Sequence, residues 1–514
     1  AETIWHFDPI TKSAQRWIQI SRHLGLINTQ LRQVEHNLGQ VRNDTGENEF
    51  ARLLSYSRNI CRQIRRDQLE PSPLFNAMES IWEREKILLY FEKLAEHEVR
   101  MECLRIGLIE WILRTQYPSI PIQCVLLIEN KHWLRYIEAH ARAQGIRLAS
   151  YGHRSVATQL MRTGVRTLAF SIKALTHVLK VLKHRSSIHG ASIDQHESPV
   201  EPNTEREPAT RLAMHYWQRK LSFDKSERSE FFWLNGSGIP YSEILLYDYI
   251  TDRPLAAETK TKIDSLGIKL LGKGPGIPAW RPTNNLFKIT LHVHLNLIIS
   301  TLKCLARGKK TSIYYLRKLS GLAQDYAYWH DFFSANKVRV NVATLNTTIG
   351  QVLAMDALNG VSAGYQISVS NLIYPFHVSA GENVQFVFSP LFEKLWNTFK
   401  TPTGNFVQTG AIYSAGVSDV RRIDEVKKRL EFHGANFLIC FFDENSHNRW
   451  FSDSSDEDAT DDYEVLLKWL LEDPTLGIIF KPKNSSSLYQ RIDRVKSLVD
   501  LAITTGRCEF LNSK

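Results

Sequence analysis

The sequence predicts an α/β fold: two parallel-sheet domains with crossover helices, the second incomplete, behind a helical N-terminal region. Three observations carry this. From about residue 119 onward, short apolar runs alternate with segments of helical periodicity. Glycines close these helices, as in KHWLRYIEAHARAQG ending on Gly145. The final unit offers at most three strands, where a doubly wound sheet needs about five or six. At 514 residues the chain has room for two to four domains.

Residues 1–118 read as helical, with stretches such as SIWEREKILLYFEKLAEHEVRMECLRIGLIEWILR that hold apolar residues at helical spacing. Residues 119–185 open the first α/β domain with strand, helix and strand (IQCVLLI, KHWLRYIEAHARAQG, IRLASYG), followed by the segment VRTLAFSIKALTHVLKVLKHR. Residues 186–211, rich in Ser, Pro, Glu and Thr, predict a linker or disordered loop. Residues 212–415 continue the domain. SEFFWLNGSGIP, YSEILLYDYI and IDSLGIKLLGKG read as strand, helix, strand, and VRVNVAT, IGQVLAMDALNG and VSAGYQIS repeat that order. VQFVFS, LFEKLWNTF and FVQTGAIY add two strands around a helix. VSDVRRIDEVKKRLEFHGA predicts a helix leading into residues 430–514, a partial second domain of strand NFLICFFDE, helix DYEVLLKWLLEDP, strand LGIIFKPKN, helix SLYQRIDRVKSLVDLAITTG and a possible strand CEFL. The expectation is a chain truncated within this domain.

The formal charge of +10 is unevenly placed. Residues 139–193 carry nine Lys or Arg and no Asp or Glu, and residues 265–324 carry ten and again none, so the remainder is net acidic. Each window contains a helix-patterned apolar segment. In residues 165–185, Leu168, Ile172, Leu175, Leu179 and Leu182 form a stripe with Lys173, Lys180 and Lys183 off it. LFKITLHVHLNLIISTLKCLARGKK, from residue 286, is more apolar but is interrupted by Lys288, His292, His294, Asn296 and Lys303. Those interruptions favour lying on an anionic membrane surface over crossing the bilayer; the plain alternative is a pair of domain helices with solvated basic faces. Aromatic residues are not interleaved with the charges, so no nucleic-acid partner is expected.

Six scattered cysteines without close pairs argue against a zinc site or a disulfide framework and fit a reducing compartment. GxSxG, HExxH, Walker and CxxC patterns are absent, and LGKGPG lacks the ending of a phosphate loop. The acidic run DSSDEDATDD, residues 453–462, reads as a solvated loop and does not have calcium-loop spacing, so no metal is expected. Gly236, Ser237 and Gly238 pose a choice between a phosphate cradle ahead of a helix and a flexible corner.

The array SEFFWLNGSGIPYSEILLYDY, GIKLLGKGPGIPAW, FVQTGAIYSAG, FFDE and FKPK resembles GT-B glycosyltransferases, and more narrowly the bacterial surface-polysaccharide biosynthesis proteins named for a PFTS motif. The similarity runs from about residue 120 to the end. PFTS itself is absent; YPFHV at Tyr374 is the nearest string, and the motif is expected beyond Lys514. The resemblance implies two Rossmann-like domains facing a cleft, a nucleotide-sugar co-substrate with no resident cofactor, a lipid-linked or saccharide acceptor, and a place in the cytoplasm at the inner face of the plasma membrane. Within it, Lys481 and Lys483 at a strand end suit the diphosphate, the alternative being a solvated lysine pair. Asp443, Glu444 and His447 follow the first strand of the second domain and suit a base or an acceptor contact, unless they are only a polar loop. Gly236, Ser237 and Gly238 would line the acceptor cleft as a close-approach loop. Asn346, Thr347 and Thr348 are acceptor-side candidates for which helix capping is the competing role. The rival functional class is a non-catalytic scaffold binding nucleic acid or membrane.

Overall fold

A computed structural model describes residues 2–7, 12–23, 29–34, 36–118, 125–129, 132–151, 212–216, 221–223, 231–248, 255–272, 277–280, 282–308, 313–343, 348–366, 381–398, 401–410, 420–443 and 456–511. The basic segment 165–185 and the expected linker 186–211 lie outside them, as does YPFHV.

The N-terminal region is not wholly helical. β1 (Glu2–His6) and β2 (Thr29–Gln33) pair in parallel around the helix Lys12–His23. The helices Phe50–Ile64 and Arg84–Gln116 then supply most of the region, as their periodicity predicts. A second parallel pair, β3 (Val125–Glu129) and β4 (Arg147–Tyr151), flanks the helix Leu134–Ala143, which ends at Gly145 with φ 72°.

Seven further strands make one parallel sheet: β5 (Leu212–His215), β6 (Ile244–Asp248), β7 (Lys269–Gly272), β8 (Val340–Ala343), β9 (Val361–Tyr365), β10 (Val384–Val387) and β11 (Asn405–Gln408). Their order is β11-β10-β9-β8-β5-β6-β7. The chain builds outward from β5 to one edge, returns, and builds from β8 to the other edge, an order compatible with a Rossmann-like sheet. Every residue of β5 and β6 is buried, because both faces are covered. On one face Ala213, Leu245 and Tyr247 join a core with the helices Ile313–Ala335, Ile349–Ala357 and Arg84–Gln116; on the other, Leu212, Met214, Ile244 and Leu246 meet Ile263 and Phe231. Each fully buried aliphatic or Phe side chain contributes about 1.5–3 kcal/mol. A buried ion pair adds direction, with Lys86 Nζ 2.5 Å from Asp356 Oδ2 and Asn383 donating to the other oxygen at 3.0 Å.

One segment reverses its expected pattern. FFWL forms a single 3-10 turn, Phe232–Leu234, and YSEILLYDYI begins with another turn, Tyr241–Glu243, before becoming the central strand β6. The run Ile244, Leu245, Leu246, Tyr247 is apolar on both faces, which suits a doubly covered strand better than a one-sided helix.

The last region is a parallel sheet in the order β12 (Phe437–Asp443), β13 (Leu476–Pro482), β14 (Cys508–Phe510). Strand, helix, strand, helix, strand is the predicted order. One face packs Leu476, Ile478 and Phe480 against Tyr463, Leu467, Leu488 and Val499 from the intervening helices. The other meets Val426 and Leu430 of the preceding helix, Val420–Phe432. The acidic run is no loop over its second half: the helix Asp456–Glu472 starts inside it, with Asp456, Glu457 and Asp458 in the first turn, where carboxylates favour the helix dipole.

Candidate functional site

Open sheets wound in two directions bind ligands beyond the carboxyl ends of the strands where the order reverses. Here that point lies between β5 and β8. The connections 217–220 and 344–347 that leave these strands are outside the described residues. The described floor beneath them is polar and neutral. Register places His215 beside Tyr247 and Ala213 beside Asn341, so His215, Tyr247 and Asn341 share one sheet face. The Tyr247 hydroxyl donates to Asn341 Oδ1 at 2.9 Å and accepts from Gln351 Nε2 at 3.2 Å. Trp329 and Phe332 wall this face, with ring centroids 5.3 and 5.7 Å from that of Tyr247. Asn341 Nδ2 is buried and has no hydrogen-bond acceptor among the described residues.

Burial pushes the His215 imidazole down to about 4, against the attraction of nearby Asp248. At neutral pH the ring is uncharged and a weak base, so it suits hydrogen bonding better than proton abstraction. Asp325 stands at the start of the helix Ile349–Ala357, accepting from Trp329 Nε1 at 3.0 Å and from Thr348 and the Gly350 N–H; burial raises its carboxyl and these bonds lower it, burial prevailing. That carboxylate occupies the anion position of the helix N-terminus. Thr348 is the N-cap, in a reciprocal capping box with Gln351. Its acceptor-side candidacy therefore gives way to capping, because its hydroxyl is already engaged. Asn346 and Thr347 lie outside the described residues.

Gly236, Ser237 and Gly238 stand elsewhere. The turn precedes β6 and so lies toward its amino end, away from the carboxyl-end crevice. No helix follows it to present N–H groups to phosphate. Gly236 and Gly238 have φ 82° and 74°, and a Cβ at either would meet open space, so glycine answers the turn's left-handed backbone and not a close approach. Ser237 closes the turn by donating to the Leu234 carbonyl at 2.9 Å.

The C-terminal sheet brings three predicted residues to one edge. Asp443 ends β12 opposite Pro482 of β13, Lys481 precedes that proline, and the Lys483 N–H donates to the Asp443 carbonyl at 2.9 Å. This is the carboxyl end of both strands. The Asp443 side chain is buried and held by Arg491, with oxygens 2.6 and 3.3 Å from the guanidinium nitrogens, and Tyr463 donates to it at 3.4 Å. A carboxylate so committed is a poor proton acceptor for substrate. Burial, more than the adjacent carboxylate, holds the Tyr463 phenol well above its ordinary range. Lys481 is half-buried, and its Nζ lies 3.4 Å from the Pro482 carbonyl. Glu444 and His447 lie outside the described residues.

The sequence does not mark the switch-point residues, because β5 is a run of four residues and the apolar run of β6 has no alternation to set it apart from a helix. The short apolar run Leu212–Met214 ending in His215 is the available signal. Arg491 was missed because its helix follows β13 and nothing local marks a partner 48 residues away. Among the described residues no cluster of His, Cys, Asp or Glu could hold a metal ion. Among known proteins, no family profile and no curated sequence matches the chain.

Proposed function

We propose that the chain is a GT-B-like glycosyltransferase of bacterial surface-polysaccharide assembly, moving a sugar from a nucleotide-sugar donor to a lipid-linked or saccharide acceptor. The observation that carries this reading is the pairing of a seven-stranded parallel sheet that reverses between β5 and β8 with a second parallel unit whose carboxyl edge carries Lys481 and Lys483. Two different site chemistries accompany that arrangement. The hydrogen-bonded floor of His215, Tyr247, Asn341 and Gln351 suits the hydroxyl groups of an acceptor. The edge holding Lys481 and Lys483 suits the diphosphate that leaves with charge. In this reading Asp443 positions the edge through Arg491, and Glu444 and His447 are the base candidates on the adjoining connection. A thermal-shift panel of nucleotide sugars and free nucleotides tests the proposal: a ligand bound only by the folded chain raises the unfolding temperature. One nucleotide class is expected to do so, and silence across the panel would contradict the reading.

A further inference from the structure

The helix Asn284–Ala306 has two apolar faces. Leu286, Val293, Leu297 and Cys304 are buried in the body of the protein, and His294 reaches Ser320 of the neighbouring helix at 3.3 Å. The opposite face leaves Leu291, Leu295, Ile298, Ile299, Leu302 and Leu305 in solvent, each with roughly half its surface exposed and Leu302 with 59%. At 3.6 residues per turn these six fall on one arc, with exposed His292, Lys303 and Arg307 along one flank and Lys288 near its start. Isolated exposed leucines are ordinary, but a continuous stripe of this kind marks an interaction surface.

We propose that this stripe is seated in the interfacial layer of an anionic phospholipid membrane, with the helix lying in the plane of the surface. Length and composition alone would let the helix cross a bilayer. Its buried stripe forbids that, since crossing would strip Val293 and Leu297 from the core they share with the parallel sheet. The choice of occupant comes from charge. The helix and its C-terminal turn carry exposed Lys288, Lys303 and Arg307 and no acid, so a lipid surface bearing negative headgroups is complementary to it. Antiparallel pairing with a second copy about the middle of the stripe would set Lys288 of one helix near Arg307 of the other, cation against cation, without the acids that flank stable helix pairs. The inference stands independently of the glycosyltransferase reading, because it rests on the helix surface and on neither site.

The test is flotation of the full chain with vesicles of phosphatidylcholine alone and of phosphatidylcholine with about 30% phosphatidylglycerol. Leu295→Ser together with Leu302→Ser removes apolar contact without changing charge, and Lys288→Gln with Lys303→Gln removes charge without touching the stripe. Circular dichroism checks that both variants fold, which their exposed positions favour. The wild type should float with the anionic vesicles, the serine variant should partition at least about tenfold less, and the glutamine variant should lose much of the preference for anionic lipid. Failure of the wild type to float, or full flotation of the serine variant, would overturn the proposal. So would a concentration-dependent dimer, seen by light scattering, that the serine variant abolishes while vesicle binding stays absent.

Discussion

The two main parallel sheets solve the same problem to different extents. In the seven-stranded sheet, β5 and β6 are buried along their whole length and even their polar side chains are enclosed. In the C-terminal sheet, β12 keeps Phe437 59% and Phe442 70% exposed, although β13 beside it is largely buried. The lesson is that burial in a parallel sheet is set by what covers each face and not by the apolarity of the strand. FLICFFD is as apolar as ILLYD, yet helices cover only part of it. A second lesson concerns polar groups. Both sheets bury them at their carboxyl ends, one as a neutral hydrogen-bonded set around Tyr247, the other as the Asp443–Arg491 ion pair.

Substitutions should separate these two designs. The largest effect is expected for Asp443→Ala, which breaks the buried ion pair with Arg491 and should cost about 3–5 kcal/mol in denaturant unfolding. A stable but inactive variant would instead restore Asp443 as a catalytic group. Tyr247→Phe removes one hydroxyl that serves both Asn341 and Gln351 and should cost about 1–3 kcal/mol. Equal stability to the wild type would mean that the neutral set is loosely held. Thr348→Ala, at the cap, should cost about 1 kcal/mol while leaving ligand affinity unchanged. Phe442→Ser should change stability by less than about 0.5 kcal/mol, since the ring is already mostly in water; a larger loss would show that its face is covered.

Acid should weaken the body around the large sheet. His215 and His132 are both held down to about 4 by burial, so between roughly pH 6.5 and 4 the unfolded chain binds protons that the folded chain does not. Stability is therefore lost as pH falls through that window. Glu96 opposes this, because burial raises its carboxyl to about 7 and the folded chain gains protons on acidification. Urea midpoints measured at several pH values should decline from neutrality downward, and Glu96→Gln should steepen the decline. A midpoint that rises on acidification would contradict the assignment.

The sequence made the alternation of strand and helix legible wherever one pattern dominated, as in VNVA, IGQVLAMDA and VSAGY, or FLICFFD and LGIIFKP. It misled where a doubly covered strand and a helix look alike: ILLYD offers no polar residue until its end, so periodicity could not tell them apart. The N-terminal strands β1 and β2 were hidden for the opposite reason, being short and mixed in polarity. Residues at strand ends were legible as positions, which is how Asp443, Lys481 and Lys483 came to share an edge. Their roles were not, because the partner that commits Asp443 arrives only through tertiary packing.

The most direct test of the central claim is calorimetric titration of the intact chain with nucleotide diphosphates and their sugar conjugates, beside a Lys481→Gln, Lys483→Gln variant. The account predicts saturable binding of one nucleotide class to the wild type and a drop of at least about tenfold in affinity for the variant, as expected when charge-assisted contacts to phosphate are lost. Binding that the variant leaves intact would remove the C-terminal edge from the donor site, and the absence of binding to any nucleotide would contradict the claim altogether.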